Sequence, residues 1–425
     1  MGLIRRNIIV LLFITVTLIF SLVGFNPQEV VIGGPYFPQI EYFEEELELI
    51  SKELNIKISY VPVSDIETQI IKEENSYDFD LAIIPNPQGV VNLGERGYLY
   101  PVTVAIDNEV IDKNYSKHLQ EITTSNKDQQ NYGIFFRLIP SSLIWYDVEK
   151  FNEIGAPKFQ NFNDIVNFTE KNLTNNSPLW CMDIESGATT GWLVTNWLED
   201  IILHEYGSSV YDDWSNQEIQ SQNNQITLSI LKIGKLIFME NAVFGGNEKI
   251  ISREFTNNYR NLLDDENSCV FTWSGHFASL YFSSDKVYGS DFDFIKFPSS
   301  NNKNAMVGLG DSIVILNTSN KAIDVFKSLT DNGFGQNWIS KKDSMFISAN
   351  KNSDLENVNN KMLLKETMLI RNALDDNLFR YDASELMERR IGADHLLSAM
   401  RNYILMGNKF ITEITEELDL SLIHI

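Results

Sequence analysis

The chain is short of the residues from which most metal and catalytic centres are built. It has two cysteines and five histidines in 425 residues, with no zinc-ligand spacing among them. Positive charge is scarce too: 34 basic residues stand against 58 acidic ones, a net charge of −24. A surface that acidic repels phosphate backbones and anionic headgroups, which argues against nucleic acid and against peripheral membrane binding. No G-x-x-x-x-G-K-[ST] loop, G-x-S-x-G elbow, H-E-x-x-H helix or G-x-G-x-x-G fingerprint occurs, so those chemistries lack their signatures. Gly308–Gly310 is only a G-x-G. Asp291 and Asp293 imitate a glycosidase pair or a calcium loop, but chance neighbours are expected among so many acids. His276, beside Trp273, reads as a packed or hydrogen-bonded histidine rather than a general base. Nothing in the sequence demands catalysis or a cofactor.

What is present is a folded, soluble composition: 43% hydrophobic, 12% aromatic and 22% charged residues. The length suggests two domains. Arg5 and Arg6 precede an apolar run from Ile8 to Val23, the pattern of a secretory signal over residues 1–25. The run is short for a membrane span; an uncleaved anchor is the alternative. Export makes Cys181 and Cys269 candidates for a bridge, with two separate buried thiols as the alternative. A bridge there would close a long loop, which the chain-entropy model values at roughly 4–5 kcal/mol. The last six residues, Leu420–Ile425 (LSLIHI), fit nothing before them. They read as a non-native, adapter-encoded tail, with a genuine tail as the alternative.

Along the chain the pattern is α/β. Val30–Ile32 is a short strand ending at Gly33 and Gly34, and Pro38–Leu54 has apolar residues at helical spacing. Ile56–Val61 alternates as a second strand, and Leu81–Ile84 is a third, stopped by Pro85 and Pro87. Strands alternating with helices imply a parallel sheet whose ligands bind at the carboxyl ends of its strands. The loops Gly33–Phe37 and Pro85–Gly89 are therefore expected to face one cleft. A strand pair is expected at Gly133–Phe136 and Ser142–Tyr146, then a helix-rich stretch holding Trp192, Trp197 and Trp214 with a long segment Ile226–Glu240. Strand signals return at Val270–Trp273 and Ile313–Leu316, and the last hundred residues read as largely helical. No repeat or low-complexity linker is present, so short crossings rather than a flexible tether are expected between domains.

Several segments, in order, resemble the extracellular solute-binding proteins of carbohydrate ABC importers. These are DFDLAIIPNPQGVVNLGERGYLYPV (Asp78–Val102), SSLIWYDVEKFNEIGAPKFQNFNDI (Ser141–Ile165), WCMDIESGATTGWLVTNWLEDIIL (Trp180–Leu203), GLGDSIVIL (Gly308–Leu316) and FRYDASELM (Phe379–Met387). The third and fifth are the most specific and are similar to the α-glucoside-binding branch. The resemblance implies the maltose-binding-protein-like, type II periplasmic binding fold: two α/β lobes with a ligand cleft between them. It implies residues 28–140 and 308–344 in the first lobe and 141–307 and 345–419 in the second. It also implies a periplasmic monomer that closes on a di- or oligosaccharide by a hinge motion and delivers it to membrane permease subunits.

A neutral sugar offers apolar C–H faces and a rim of hydroxyls, so its site needs flat aromatics and hydroxyl-binding polar groups. Trp192 follows the glycine-containing loop Ser186–Gly191 near a helix start, where it would stack on a ring or else belong to the core. Trp273, just after Cys269, is similar, and Asp311 sits where the family's return strand enters the cleft. Tyr36, Asn86 and Gln88 lie on the strand-end loops. Arg380 and Asp382 would reach ligand or else form internal ion pairs. Two departures fall where ligand contacts are expected: Leu396 and Leu397 where the family often has an aromatic pair, and the run Cys269–His276 where many read C-x-x-H-R-Q. A polyamine or polyol ligand, and a secreted carbohydrate-active enzyme, are the alternatives.

Overall fold

A computed structural model describes residues 29–72, 79–173, 178–264, 269–300 and 302–423. The expected signal segment lies outside the described residues, as do the last two residues of the expected tail; the backbone of Leu420–Ile423 continues the final helix, Ile411–Ile423.

Two sheets organise the chain. The first contains β1 (Glu29–Gly34), β2 (Lys57–Pro62), β3 (Leu81–Ile84), β4 (Gly133–Pro140), β9 (Met306–Ile315) and β10 (Phe379–Tyr381). The second contains β5 (Leu143–Asp147), β6 (Trp180–Cys181), β7 (Phe271–Ser274) and β8 (Phe292–Lys296). In the first sheet β2, β1 and β3 are parallel, with the helix α1 (Ile40–Leu54) forming the crossover between β1 and β2. Phe43, Leu47 and Ile50 of α1 are buried, as their helical spacing requires. The sheet is not wholly parallel, however, because β9 runs antiparallel to both β3 and β4. A return strand that enters from the other lobe travels against β3 and β4, with only β10 parallel to it, and the local αβ alternation carries no sign of that.

The expected strand pair is likewise a correction. β4 and β5 do not pair with each other; they belong to different sheets. Ser141 and Ser142 between them form a crossing instead of a turn. Ser141 N donates to Val307 O, and Ser142 Oγ accepts from Val307 N. Those bonds satisfy the backbone of the crossing without closing a hairpin.

A second crossing follows β10. Tyr381 is fully buried and bonded on all sides. Its hydroxyl has both Pro85 O and Gly310 O within reach of its single proton, its N–H donates to His118 Nε2, and its carbonyl accepts from Tyr211 Oη at 2.8 Å. Burial holds the His118 imidazole down at about 3, so it stays neutral and can accept that bond. The next residues are fastened to the second lobe: Asn196 Nδ2 donates to Asp382, and Ala383 N donates to Glu199. Because β10 extends the first sheet and Ile347 and Ala349 hydrogen-bond to β4, residues 345–381 are shared between lobes. The expected division had given all of 345–419 to the second.

Candidate functional site

Three loops leave the carboxyl ends of parallel strands on the same edge of the first sheet, where open α/β sheets bind ligands. The loop after β1 carries Tyr36, which is 74% exposed. Tyr60 Oη donates to Pro35 O, and Gln39 Oε1 accepts from Trp338 Nε1 and Met345 N. The loop is thus fixed at both ends while Tyr36 stays free. After β2, Asp65 caps the short helix α2 (Ile66–Ile71) by accepting from Thr68 N, a bond that holds its carboxyl below the ordinary value. Glu67, in the first turn of α2, faces the loop after β3, where Asn86 Nδ2 donates to Glu67 Oε1 at 3.2 Å. The Asn86 Oδ1 atom is buried without a protein partner. Asn86 precedes helix α3 (Pro87–Glu95), with Pro87 at its first position. Gly89 makes room for Glu67, since a Cβ there would collide with the Glu67 carboxylate. Burial raises the Glu67 carboxyl, opposed by its Asn86 bond and by Arg389.

Arg389 comes from the second lobe, and so does the facing wall. Trp192 opens helix α4 (Trp192–Tyr206) immediately after Gly191. Gly191 has φ 120, and a Cβ there would lie 2.7 Å from Leu397 O, so glycine alone suits this close approach. Trp192 is half-buried, with its ring 5.5 Å from Phe255 and 5.2 Å from Phe277 in edge-on contact. Behind them Tyr259 and Tyr281 stack at 5.1 Å. The second lobe also contributes the short helix α6, which follows helix α5 (Lys361–Asp375), spans Ala383–Leu386 and packs against α3. Its Glu385 is exposed; neighbouring protein, Asp382 and Glu67 raise its carboxyl and Arg389 opposes them.

The expected site residues divide. Tyr36, Asn86 and Trp192 lie on the loops and wall just described. Gln88 is on another face of α3: it bonds Asn92 and lines a separate open groove of about 1040 Å³ between α3, residues 112–129 and Asp212. Trp273 is a correction. It is 2% exposed, with Phe297 stacked at 4.7 Å and Trp197 at 5.6 Å, and its indole N–H donates to Asp200 at 2.7 Å. With its ring between two others and its polar atom bonded, it has no free surface to give a sugar. Asp311 is buried and paired with Arg137, whose Nε donates to it at 2.7 Å and whose guanidinium lies 4.3 Å over the Phe37 ring. Arg380 makes a two-pronged pair with Asp212, the internal-pair alternative rather than ligand contact. His276 is buried against Glu366 at 2.7 Å, and Asp293 pairs with Lys365. The bridge Cys181–Cys269 is formed.

No family model matches the chain. It is 25% identical over 388 residues to the α-glucosides-binding periplasmic protein AglE of Rhizobium meliloti (strain 1021), covering 89% of this chain and 83% of that one. It is 24% identical over 380 residues to the osmoprotective compounds-binding protein GgtB of a Synechocystis strain, covering 89% and 88%. Among solved structures it matches the bacterial solute receptor AcbH, described as exclusive for β-D-galactopyranose, with a TM-score of 0.74 over 92% of this chain and 98% of that one at 12% identity. The chain has the fold of the solute-binding proteins. Its two lobes are those of the maltose-binding-protein-like fold.

The residues of these loops and of the facing wall that sequence reasoning passed over are Glu67, Phe255, Phe277, Glu385 and Arg389. A signal for some of them was present. The strand-end rule applies to β2 as much as to β1 and β3, and Ser64–Glu67 after β2 has the spacing of a capping box. Glu385 lies inside the segment FRYDASELM and Arg389 two residues beyond it.

Proposed function

We propose that this protein is the substrate-binding component of an ABC sugar importer, taking a di- or oligosaccharide between its lobes and passing it to membrane permease subunits. The observation that carries the reading is a half-buried aromatic side chain on the second lobe together with polar side chains at the strand-end loops of the first. Trp192, backed by Phe255 and Phe277, offers an aromatic surface, and Glu67, Asn86 and Arg389 offer acceptors and donors from both lobes. A sugar ring has an apolar face for the first and hydroxyls for the second. Ligand touching both lobes favours the closed state because only that state makes both sets of contacts. The periplasmic character of AglE and the basic-then-apolar start of the chain support export, and a monomer is the expected form. The likeness to AglE supports an α-glucoside as ligand; the likeness to GgtB supports a small osmolyte as the second reading. Binding, not turnover, is the activity that the relatives suggest.

The test is a thermal-shift and calorimetric screen of the chain without residues 1–25 and 420–425, against maltose, trehalose, sucrose, palatinose, glucose, glycerol phosphate and spermidine. A sugar that binds the folded state raises the melting temperature as its concentration passes its Kd. Trp192→Ala is expected to weaken that sugar by roughly 30-fold, the equivalent of about 2 kcal/mol for a truncated aromatic anchor. Undiminished affinity in that variant would remove Trp192 from the site, and hydrolysis of a glucoside would replace the importer reading with an enzyme.

A further inference from the structure

Resting on that reading, we propose that Glu199 is a positioning residue for the ligand: it stands as a neutral carboxylic acid and, through Tyr211 and Tyr381, holds the helix that begins at Trp192 in register with the loop that carries Asn86. Glu199 is fully buried and acts only through its neighbours. Helix α4 grips the second crossing with one face, on which Trp192, Asn196 and Glu199 stand at i, i+4 and i+7. Asn196 Nδ2 donates to Asp382, and Glu199 Oε2 accepts from Ala383 N at 3.0 Å. Just before them in the chain, the Tyr381 hydroxyl reaches Pro85 O, the carbonyl next to Asn86.

The proton on Glu199 follows from counting donors. Tyr211, on the helix Ser208–Ser215, has its hydroxyl oxygen 2.8 Å from Tyr381 O and 3.0 Å from Glu199 Oε2. A phenol has one proton, and a carbonyl can only accept. With the phenol proton on Tyr381 O, the contact to Glu199 is a hydrogen bond only if the carboxyl group is the donor. An ionised Glu199 would leave two acceptors facing each other, either there or at Tyr381 O. The second carboxyl oxygen points the same way. Glu199 Oε1 is buried with no hydrogen-bond partner among the described residues. On a carboxylate that atom would hold a share of the negative charge with no donor; on a neutral acid it is a carbonyl oxygen, far less costly to leave bare.

Asp382 explains why the proton stays on Glu199. It too is buried, but its Oδ1 accepts from Ser384 N and Ser384 Oγ and its Oδ2 accepts from Asn196 Nδ2. With acceptor bonds on both oxygens it takes the negative charge. Two carboxyl groups facing each other in a dry site do not both ionise, and the one with fewer donors keeps its proton. Burial, then the Asp382 and Asp200 charges, raise the Glu199 carboxyl well above the ordinary carboxylate value, against the opposing Ala383 N–H and Tyr211 contacts. The result is a chain of buried bonds from α4 through the crossing to the loop after β3. It sets the spacing between Trp192 and Asn86, and a ligand that touches both loses contact when that spacing loosens.

The experiment compares the parent with Glu199→Leu, Glu199→Gln and Tyr211→Phe by calorimetric titration with maltose, trehalose and sucrose, and by infrared spectroscopy of the unliganded proteins near neutral pH. Glu199→Leu and Tyr211→Phe break the chain, and each is expected to weaken the bound sugar by about 10-fold, the worth of one such hydrogen bond. Glu199→Gln keeps the shape of the neutral acid, with an N–H for the Tyr211 oxygen and a carbonyl for Ala383 N, and is expected to recover most of the leucine variant's loss. The infrared difference between parent and Glu199→Gln is expected to show the C=O band of a protonated carboxyl group. A carboxylate band in its place, or a glutamine variant that loses the sugar as badly as the leucine one, overturns the proposal. Full affinity in both Glu199→Leu and Tyr211→Phe also overturns it, since the chain would then serve stability alone. If Glu199→Leu does not fold, Tyr211→Phe and the infrared band decide. A parent that binds none of the three sugars but shows the protonated band overturns the sugar reading and supports the neutral carboxyl.

Discussion

Trp273→Ala is expected to lower the unfolding free energy by about 3–5 kcal/mol, the range for emptying a large aromatic site in a core. Its ring is sandwiched between Trp197 and Phe297, and Phe162 lies 5.7 Å away. None of these can collapse into the space without leaving its own partners: Trp197 is held by Nε1–H donation to Trp273 O, and Phe297 also contacts Phe162 and His204. The substitution also takes a donor from Asp200, a fully buried carboxyl that burial has already pushed up to about 7 and that keeps only its Ser142 bond. Losing one of two bonds at a buried carboxyl adds to the cavity cost. Trp192→Ala should behave in the opposite way, with little loss of stability and a large loss of sugar affinity, because its ring is half-buried and edge-on to its neighbours. Denaturant melts and sugar titrations on both variants separate the two roles. A Trp273→Ala protein that melts like the parent yet binds no sugar would return Trp273 to the site.

That contrast shows what was legible in the sequence and what was not. The strands Val30–Ile32, Ile56–Val61 and Leu81–Ile84 and the helix ending at Leu54 were visible because short-range periodicity sets them, and each appears within a residue or two. The loops they end in place Tyr36 and Asn86 at the strand-end edge of the first sheet for the same reason. Trp273 was not separable from Trp192 because every residue of β7 is buried; with no alternation to read, a core tryptophan looks like a binding one. Asp311 and Arg380 were unreadable for a different reason. Their partners, Arg137 and Asp212, stand 174 and 168 residues away, and a buried carboxylate with a distant guanidinium has the same local sequence as one waiting for a hydroxyl. The β4–β5 crossing was misread because two strands joined by a short loop usually make a hairpin, and only the bonds to Val307 in the returning chain say otherwise.

Replacing both Cys181 and Cys269 by serine is expected to cost about 4–5 kcal/mol, the chain-entropy value for a closed loop of this length; the two cysteines are separated by 88 residues. The bridge joins β6 to the segment leading into β7, strands that also pair in parallel at Trp180↔Phe271 and Cys181↔Thr272. β6 is two residues long, too short to hold its place by ladder bonds alone, so the loss should fall on the second lobe. The protein carries its own reporter of that. Of its seven tryptophans, Trp338 packs on Phe37, Phe43 and Phe346 beside the first sheet, and the other six lie in the second sheet or its helices. Tryptophan fluorescence therefore follows the second lobe, while circular dichroism follows both. In the variant the fluorescence midpoint should fall by several degrees and separate from the dichroism transition, and the same split should appear in the parent on reduction. Saturating sugar should narrow the gap, since ligand at 100 times its Kd adds about 2.7 kcal/mol to the state that binds it and that state requires both lobes. Coincident, unshifted transitions in the variant would mean that the loop between the cysteines is already ordered in the unfolded ensemble, and that the bridge records export rather than stability.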